Sequence, residues 1–275
     1  MAKVTSRTRK KPAAAGIEGI RLVGMVHLPG LPGSARAKLP MDSIIDRAVS
    51  EARQLAKAGF DAVIVENFGD APFAPDRVPE ETIAAMGIVV NHVVRSCDVP
   101  VGVNVLRNDA LAALAVAAAA GAAFIRVNVL SGTYATDQGL ITGRASELLR
   151  RRAALAPHVK IAADVHVKHA VPISQPDIAL AAEETAHRAG ADVLIVSGAG
   201  TGKATDLAAV RRVKGAVPGV PVWIGSGVTA ESVSDCLKAA DGVIVGTCLK
   251  KGGKTTAELD ARRVSALMAV AMQAR

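Results

Sequence analysis

Three titratable side chains stand at alternate positions within residues 164–169. Asp164, His166 and Lys168 are each separated by one residue, so in an extended strand they project from the same side. A carboxylate, an imidazole and an ammonium that converge shift one another's pKa values and can move protons in catalysis. The alternative is a structural ion pair between Asp164 and Lys168, because an unpaired buried charge is costly.

Polar residues also end several other apolar runs of the sequence. A lone histidine is more often structural than catalytic, but polar side chains at the ends of neighbouring runs favour a shared site. We expect His27 and Glu66 to join the catalytic residues, and the remaining polar residues to bind substrate. Those remaining residues are Asn67, Asn104, Arg126, Asn128 and Ser197.

The catalytic candidates include side chains of the types that bind metals. The pair of histidines two residues apart on the first strand, which marks metal-dependent hydrolysis, is nevertheless absent after His27. We therefore expect no metal, and no cofactor.

Short runs rich in β-branched residues alternate with longer alanine-rich stretches of helical period, which indicates repeated β–α units and a parallel sheet. The predicted strands are residues 20–26, 62–66, 101–105, 124–129, 159–165, 193–197, 222–225 and 242–245. The predicted helices start near Met41, Pro79, Ala110, Arg144, Pro176, Ala204, Thr229 and Thr255. Eight consecutive units favour an α/β fold closed as a (β/α)₈ barrel, or TIM barrel, over an open doubly wound sheet. The length of 275 residues fits one such domain, which we place at residues 19–275.

A repeated link joins several helices to the strands that follow them. Gly59, Gly121 and Gly190 each follow an alanine where a predicted helix ends. Glycine suits the left-handed residue that terminates a helix. The repetition supports a barrel of similar units.

Glycines follow both of the last two predicted strands. In a (β/α)₈ barrel these loops present backbone N–H groups and a helix N-terminus to a phosphate, and glycine allows the close approach. The alternative is a pair of tight turns without a ligand, and Lys250 and Lys251 either help to bind the phosphate or are solvated. The predicted phosphate-binding residues are Gly225, Ser226, Gly227, Gly246 and Thr247.

A further glycine-rich segment, residues 197–203, follows the sixth predicted strand. It does not match the P-loop pattern, because only three residues separate Gly198 from Gly202 and Ala204 follows Lys203. We expect it to be a flexible cover over the ligand rather than a nucleotide-hydrolysing loop.

Composition and charge exclude several classes of protein. Half of the residues are apolar but only 2% are aromatic, so the core must consist largely of aliphatic side chains, as in buried parallel strands. Residues 3–11 hold five basic and no acidic side chains and supply most of the formal net charge of +8. The rest of the chain is too weakly charged to imply a nucleic acid partner. We expect residues 1–18 to be a disordered basic tail.

Cysteine usage and hydropathy bear on the compartment. Cys97, Cys236 and Cys248 are far apart and form no CxxC motif, so neither a zinc site nor a disulfide framework is indicated. The most apolar window, residues 111–120, is about half as long as a membrane span. We expect a cytoplasmic protein without a transmembrane segment, with peripheral membrane association through the basic tail as the open alternative.

Several motifs together resemble the BtpA family. They are VGMVHLPGLPGS at 23–34, VENFGDAPF at 65–73, GVNVLRND at 102–109 and ADVHVKH at 163–169, followed by matches at 196–198, 201–202, 225–229 and 241–246. The likeness extends from about Gly19 to the last helix. The resemblance implies a barrel of the phosphate-binding type, in a family named for a role in photosystem I biogenesis, with a related branch similar to sugar-operon proteins.

Two functions follow as hypotheses. The first is an isomerase, lyase or hydrolase acting on a small phosphorylated sugar or nucleoside-like metabolite. Asp164, His166 or Glu66 would move protons, and Lys168 or Arg126 would stabilise negative charge or, for Lys168, form a Schiff base. The second is a non-catalytic factor that stabilises a membrane complex such as photosystem I. We also expect a homo-oligomer.

Overall fold

The computed structural model describes residues 16–198 and 200–274, which form eleven strands. The strands are β1 Leu22–His27, β2 Ala62–Glu66, β3 Val101–Asn104, β4 Phe124–Val127, β5 Thr133–Thr136, β6 Gly139–Thr142, β7 Lys160–Val165, β8 Ala170–Pro172, β9 Val193–Val196, β10 Val222–Ile224 and β11 Gly242–Val245. Eight of them close a barrel in the order β1-β11-β10-β9-β7-β4-β3-β2, and every neighbouring pair is parallel.

Helices alternate with these strands along the described chain. They are α1 Met41–Ala58, α2 Glu80–Ser96, α3 Ala110–Ala120, α4 Ala145–Leu155, α5 Ile178–Glu183, α6 Leu207–Ala216, α7 Val233–Ala239 and α8 Ala261–Ala271. The (β/α)₈ barrel is thereby confirmed, and each predicted strand is found with its ends displaced by at most two residues.

Three predicted helix starts are wrong, because the observed helices begin further along the chain. Helices α6, α7 and α8 begin at Leu207, Val233 and Ala261 rather than near Ala204, Thr229 and Thr255. The Asp260 side chain accepts the N–H groups of Arg262 and Arg263 and so begins α8. Gly252 and Gly253 precede it with φ of 62° and 65°, a left-handed conformation that no helix continues through.

The links between helices and strands have a regular structure. Gly59, Gly121 and Gly190 have φ of 101°, 78° and 72°, which confirms the predicted left-handed residues at the helix ends. Asp61, two residues after the first of these glycines, accepts the N–H groups that begin β1. Asp192 accepts an N–H group of β7 in the same way after Gly190. These carboxylates connect neighbouring strands at the end of the barrel remote from the polar residues.

Two of the few aromatic residues fill the inside of the barrel. Phe124 and Trp223 meet edge to face, with ring centroids 6.0 Å apart, and neither is exposed to solvent. Gly102 makes room for the Phe124 ring, because a Cβ there would lie 2.4 Å from it. Ile17 is also fully buried in this inner core. Ile17 falls within residues 1–18, which we predicted to be a tail, and residues 1–15 of that segment lie outside the described chain.

A small sheet that was not predicted lies beside the barrel. Strands β6, β5 and β8 pair antiparallel in that order. Tyr134 and Ile141 of this sheet pack against Val129 and Val167, which follow β4 and β7. The loop after β4 is thus an ordered hairpin tied to the loop after β7.

Candidate active site

A cavity of about 260 Å³ opens at the end of the barrel where the strands have their carboxyl termini. Loops after strands from all round the barrel contribute to it, as expected for this fold. The sequence-predicted residues that line it are His27, Glu66, Arg126, Lys168, Gly225, Ser226, Gly227, Gly246 and Thr247. The further lining residues are Met25, Thr201, Gly202, Val228, Thr229, Ile244, Cys248, Gly253 and Arg263.

Arg126 is held in the cavity by a bidentate ion pair with Asp164. The Arg126 Nε and Nη2 atoms donate to the two carboxylate oxygens of Asp164 at 2.9 and 2.8 Å. The Ser197 hydroxyl donates to the same carboxylate at 3.0 Å, and both charged side chains are buried. The alternative interpretation, a structural ion pair between Asp164 and Lys168, is therefore wrong, because the Asp164 oxygens bond Arg126 and Ser197 instead.

The predicted asparagines lie behind the cavity and support its lining. Asn104 donates from Nδ2 to the carbonyl of Arg126 and to Asn128 Oδ1, and Asn128 donates in turn towards Asp164 at 3.4 Å. Asn67 bonds the backbone of Leu106 with both ends of its amide, which joins the loops after β2 and β3. These contacts fix the positions of the strand ends, and none of the three amides lines the cavity.

Lys168 reaches the cavity without an ionic partner. Its ammonium makes no hydrogen bond or ion pair with any described residue, while its carbonyl accepts from Arg107 Nη2 at 2.6 Å. Burial, and then the positive charge of Arg126, lower the pKa of Lys168 below its ordinary value. A lysine in this setting loses its proton more readily than a surface lysine.

Glu66 and His27 lie side by side in the same lining. The Glu66 Oε1 and His27 Nε2 atoms are 3.8 Å apart, and both side chains are buried. Burial raises the pKa of Glu66, although Lys168 and Arg126 oppose the rise. Burial and the nearby Lys250 hold the pKa of His27 well below its ordinary value, so its imidazole is neutral. His27 Nδ1 has no partner among the described residues.

The prediction that His166 joins Asp164 and Lys168 on one side of a strand is wrong. Strand β7 ends at Val165, and His166 takes a left-handed φ of 51°, which breaks the alternation of side chains. The His166 ring instead contacts Tyr134 edge to face and bonds the carbonyl of Gln175 through Nε2 at 2.8 Å. His166 thereby ties the loop after β7 to the small sheet and does not line the cavity.

The predicted phosphate glycines are positions where only glycine fits the packing. A Cβ on Gly225 would lie 2.4 Å from the Ser197 hydroxyl, and one on Gly246 would lie 2.7 Å from Cε1 of His27. Gly227, with φ of 72°, approaches the carbonyl of Lys203. The backbone at these glycines can therefore lie close against neighbouring groups.

Backbone donors at the same end of the cavity are unused. The N–H groups of Gly227, Val228, Thr247 and Cys248 donate to no acceptor within residues 16–198 and 200–274. The Ser226 hydroxyl, by contrast, accepts the N–H of Gly198 at 2.8 Å and so anchors the glycine-rich loop. The donors open to a ligand are thus backbone groups rather than this hydroxyl.

Sequence reasoning missed Arg263, which lines the cavity near these donors. Its position in the first turn of α8 was hidden by the wrong helix start near Thr255. Thr201 and Gly202 of the glycine-rich segment also line the cavity, and Thr201 N–H donates to His169 Nε2 at 3.2 Å. Cys248 lines it too, but burial raises the pKa of its thiol to about 11, so it is not a ready thiolate.

No three His, Cys, Asp or Glu side chains of the described part of the chain come together in a way that could hold a metal ion. No helix within residues 16–198 and 200–274 is long and apolar enough to cross a membrane.

Comparisons with known proteins agree with the resemblance drawn from the motifs. A model of the BtpA family matches residues 20–273. The chain is 47% identical over 247 residues to the photosystem I biogenesis protein BtpA of Synechocystis sp., covering 90% of this chain and 86% of that protein. It is 45% identical over 246 residues to an uncharacterized protein of Pyrococcus horikoshii, covering 90% and 93% of the two chains.

A solved structure shows the same fold at low sequence identity. Phosphoribosyl anthranilate isomerase from Thermus thermophilus superposes with a TM-score of 0.55 at 13% identity, covering 93% of this chain and all of that one. Such a likeness supports the barrel and no more. The family model and the two sequence relatives, by contrast, extend over almost the whole described barrel, and the chain belongs to the BtpA family.

Proposed function

We propose that this BtpA family barrel is an enzyme acting on a small phosphorylated sugar or nucleoside-like metabolite by acid–base chemistry. One observation carries the proposal: groups that can bind a phosphate and side chains that can transfer protons line different parts of one cavity. Unused backbone N–H groups and the cationic Arg263 lie at the loops after β10 and β11. Glu66, Lys168 and His27 line the same cavity from other strands.

The donor end suits a phosphate. Convergent backbone N–H groups bind phosphate oxygens without the loss of side-chain freedom, and a guanidinium adds charge. The N–H groups of Gly227, Val228, Thr247 and Cys248 are available for this role.

The reactive end suits proton transfer. The raised pKa of Glu66 and the lowered pKa of Lys168 bring the proton affinities of the two groups closer together. Proton transfer is most effective when the pKa values of donor and acceptor lie near the working pH. Arg126, fixed by Asp164, places a permanent positive charge beside this pair and can stabilise an oxyanion. Asp164 is then a positioning residue.

The test is thermal unfolding of the full chain with ribose 5-phosphate and with ribose. The proposal expects stabilisation by the phosphorylated sugar alone, of about 2.7 kcal/mol at 100 times its dissociation constant. Arg263→Gln should weaken the effect. Arg262→Gln is the matched control, because it removes the same charge from the next residue, which does not line the cavity. Equal stabilisation by ribose, or equal loss in both variants, would contradict the proposal.

The name of the Synechocystis relative favours a second candidate, a non-catalytic factor for a membrane complex. This candidate does not require the polar cavity. Membrane fractionation of the full chain before and after removal of residues 1–12 separates the two. Membrane association that depends on those residues, without binding of any phosphorylated metabolite, would support the factor.

A further inference from the structure

Lys250 and Lys168 both follow strands of the barrel, and they differ in whether the ammonium group has a partner. Lys250 is fully buried, and its ammonium bonds the carboxylate of Glu51 at 2.5 Å. Lys168 lines the cavity, and its ammonium has no partner among the described residues. The buried ion pair makes Lys250 a structural residue rather than a phosphate ligand. No hydrogen bond or ion pair of the Lys168 ammonium with a described residue explains why this side chain lies in the cavity.

The surroundings of Lys168 hold it in position but leave its amine free. Arg107 fixes the backbone at the carbonyl of Lys168, and Arg126 lies in the same lining with its guanidinium locked to Asp164. The cationic neighbours and the burial both favour the uncharged amine, and the lowered pKa of Lys168 agrees. An uncharged amine is the form that attacks a carbonyl carbon.

We propose that Lys168 is a nucleophile that forms an imine with the aldehyde or ketone group of a phosphorylated substrate. This inference rests on the proposed function, because it assumes that the substrate phosphate lies at the loops after β10 and β11. It adds that the substrate carries a carbonyl group within reach of Lys168.

The step balances with groups already in the cavity. The Lys168 amine attacks the carbonyl carbon, the C–N bond forms as the C=O π bond breaks, and a proton passes from the new ammonium nitrogen to the oxygen to give a neutral carbinolamine. Glu66, in its protonated form, then donates a proton to the departing hydroxyl, and water leaves as the iminium forms. Neither oxidant nor reductant is needed. The neutral imidazole of His27, close to Glu66, can accept a proton from the carbon next to the iminium.

An iminium intermediate favours some of the proposed reaction classes, which are isomerase, lyase and hydrolase, over others. It draws electrons from the adjacent carbon and so favours proton removal or carbon–carbon cleavage there. Those are the reactions of isomerases and lyases. Hydrolysis of a phosphate ester gains nothing from it.

The experiment uses two aldehydes that differ only in a phosphate. The full chain is incubated with pyridoxal 5′-phosphate or with pyridoxal, sodium cyanoborohydride reduces any imine to a stable amine, and peptide mass mapping locates the adduct. The expected result is an adduct on Lys168 that forms at least about tenfold more with the phosphorylated aldehyde, since each 1.4 kcal/mol of phosphate binding is worth a factor of ten. Ribose 5-phosphate should compete with it.

Variants distinguish the imine from general lysine labelling. Lys168→Arg keeps the charge and should abolish the phosphate-dependent adduct, while Lys238→Arg, which changes an exposed lysine paired with Asp235, should leave it unchanged. Glu66→Gln should slow adduct formation without weakening stabilisation by ribose 5-phosphate. Thermal unfolding of each variant confirms that it is folded.

The outcomes distinguish failure of the imine proposal from failure of the proposed function. Stabilisation by ribose 5-phosphate with no adduct on Lys168, or equal labelling of Lys168 and surface lysines, overturns the imine and leaves the phosphate site standing. Absence of any phosphate-dependent stabilisation overturns the proposed function instead.

Discussion

Arg126 and Asp164 meet in a two-point ion pair that joins the neighbouring strands β4 and β7 beneath the cavity. The hydrogen bonds measure 2.9 and 2.8 Å, and the exposed fractions of the two residues are 2% and 4%. This geometry decides which charges face the ligand. Arg126 lines the cavity while the carboxylate of Asp164 balances its charge. Lys168 therefore has no carboxylate partner.

Asp164→Asn should destabilise the fold strongly. The variant keeps the shape of the side chain but leaves the buried guanidinium of Arg126 without a counter-charge, which costs about 3–5 kcal/mol. Urea denaturation measures the loss. The control is Asp235→Asn, which breaks an exposed pair with Lys238 and should produce no clear change. Equal effects of the two substitutions would show that the Arg126 pair contributes no more than a surface contact.

Gly246→Ala and Gly87→Ala should change stability in opposite directions. A Cβ on Gly246 would come within 2.7 Å of His27 and 3.1 Å of Met25, so we expect a loss of about 1–3 kcal/mol from overpacking. Gly87 lies inside α2 with open space around its Cβ position, and alanine there should stabilise by about 0.5–1 kcal/mol. Chemical denaturation of both variants checks the signs, and a Gly246→Ala variant as stable as the wild type would contradict the packing described for His27.

His27 should make the fold less stable as the pH falls. Its pKa in the folded state lies well below the ordinary value of about 6.5, so the folded protein favours the neutral imidazole. The stabilisation is therefore complete above pH 6.5 and is lost progressively as the pH falls below that value. The measurement is the free energy of unfolding between pH 7 and 5, where His27→Gln should flatten the curve relative to the wild type.

Two outcomes bear on this pH dependence. Exposed His92 offers the control, because His92→Gln should leave the slope of the wild type unchanged. A His27→Gln variant that keeps the full wild-type slope would mean that another group is responsible.

The barrel could be predicted because its strands are continuous apolar runs. Such runs are set by burial on both faces, and they appear in the sequence whatever surrounds them. The same reasoning placed Glu66 at the cavity, since it stands where an apolar run ends. Lys168 was expected there from side-chain alternation along an extended strand, and it lines the cavity although that alternation breaks at His166. It failed for His166, because the left-handed turn after Val165 depends on contacts with Tyr134 and Gln175, which are distant in the sequence or belong to a loop.

Arg263 and the small sheet could not be predicted for related reasons. Strands of three or four residues with partly exposed side chains have no clear period, so β5, β6 and β8 could not be told from loops. Arg263 enters the cavity only because Asp260 delays the start of α8. The role of the Ser226 hydroxyl likewise depends on how the glycine-rich loop packs, since its oxygen is taken by Gly198.

The most direct test of the account is a titration of the full chain with ribose 5-phosphate in which the backbone amide chemical shifts are measured at each step. The phosphate is proposed to bind the unused N–H groups at the loops after β10 and β11. The amides of Gly227, Val228, Thr247 and Cys248 should therefore shift together with one dissociation constant, and ribose should leave them unmoved. Shifts confined to another surface, or the same shifts with ribose, would contradict a phosphate site in this cavity.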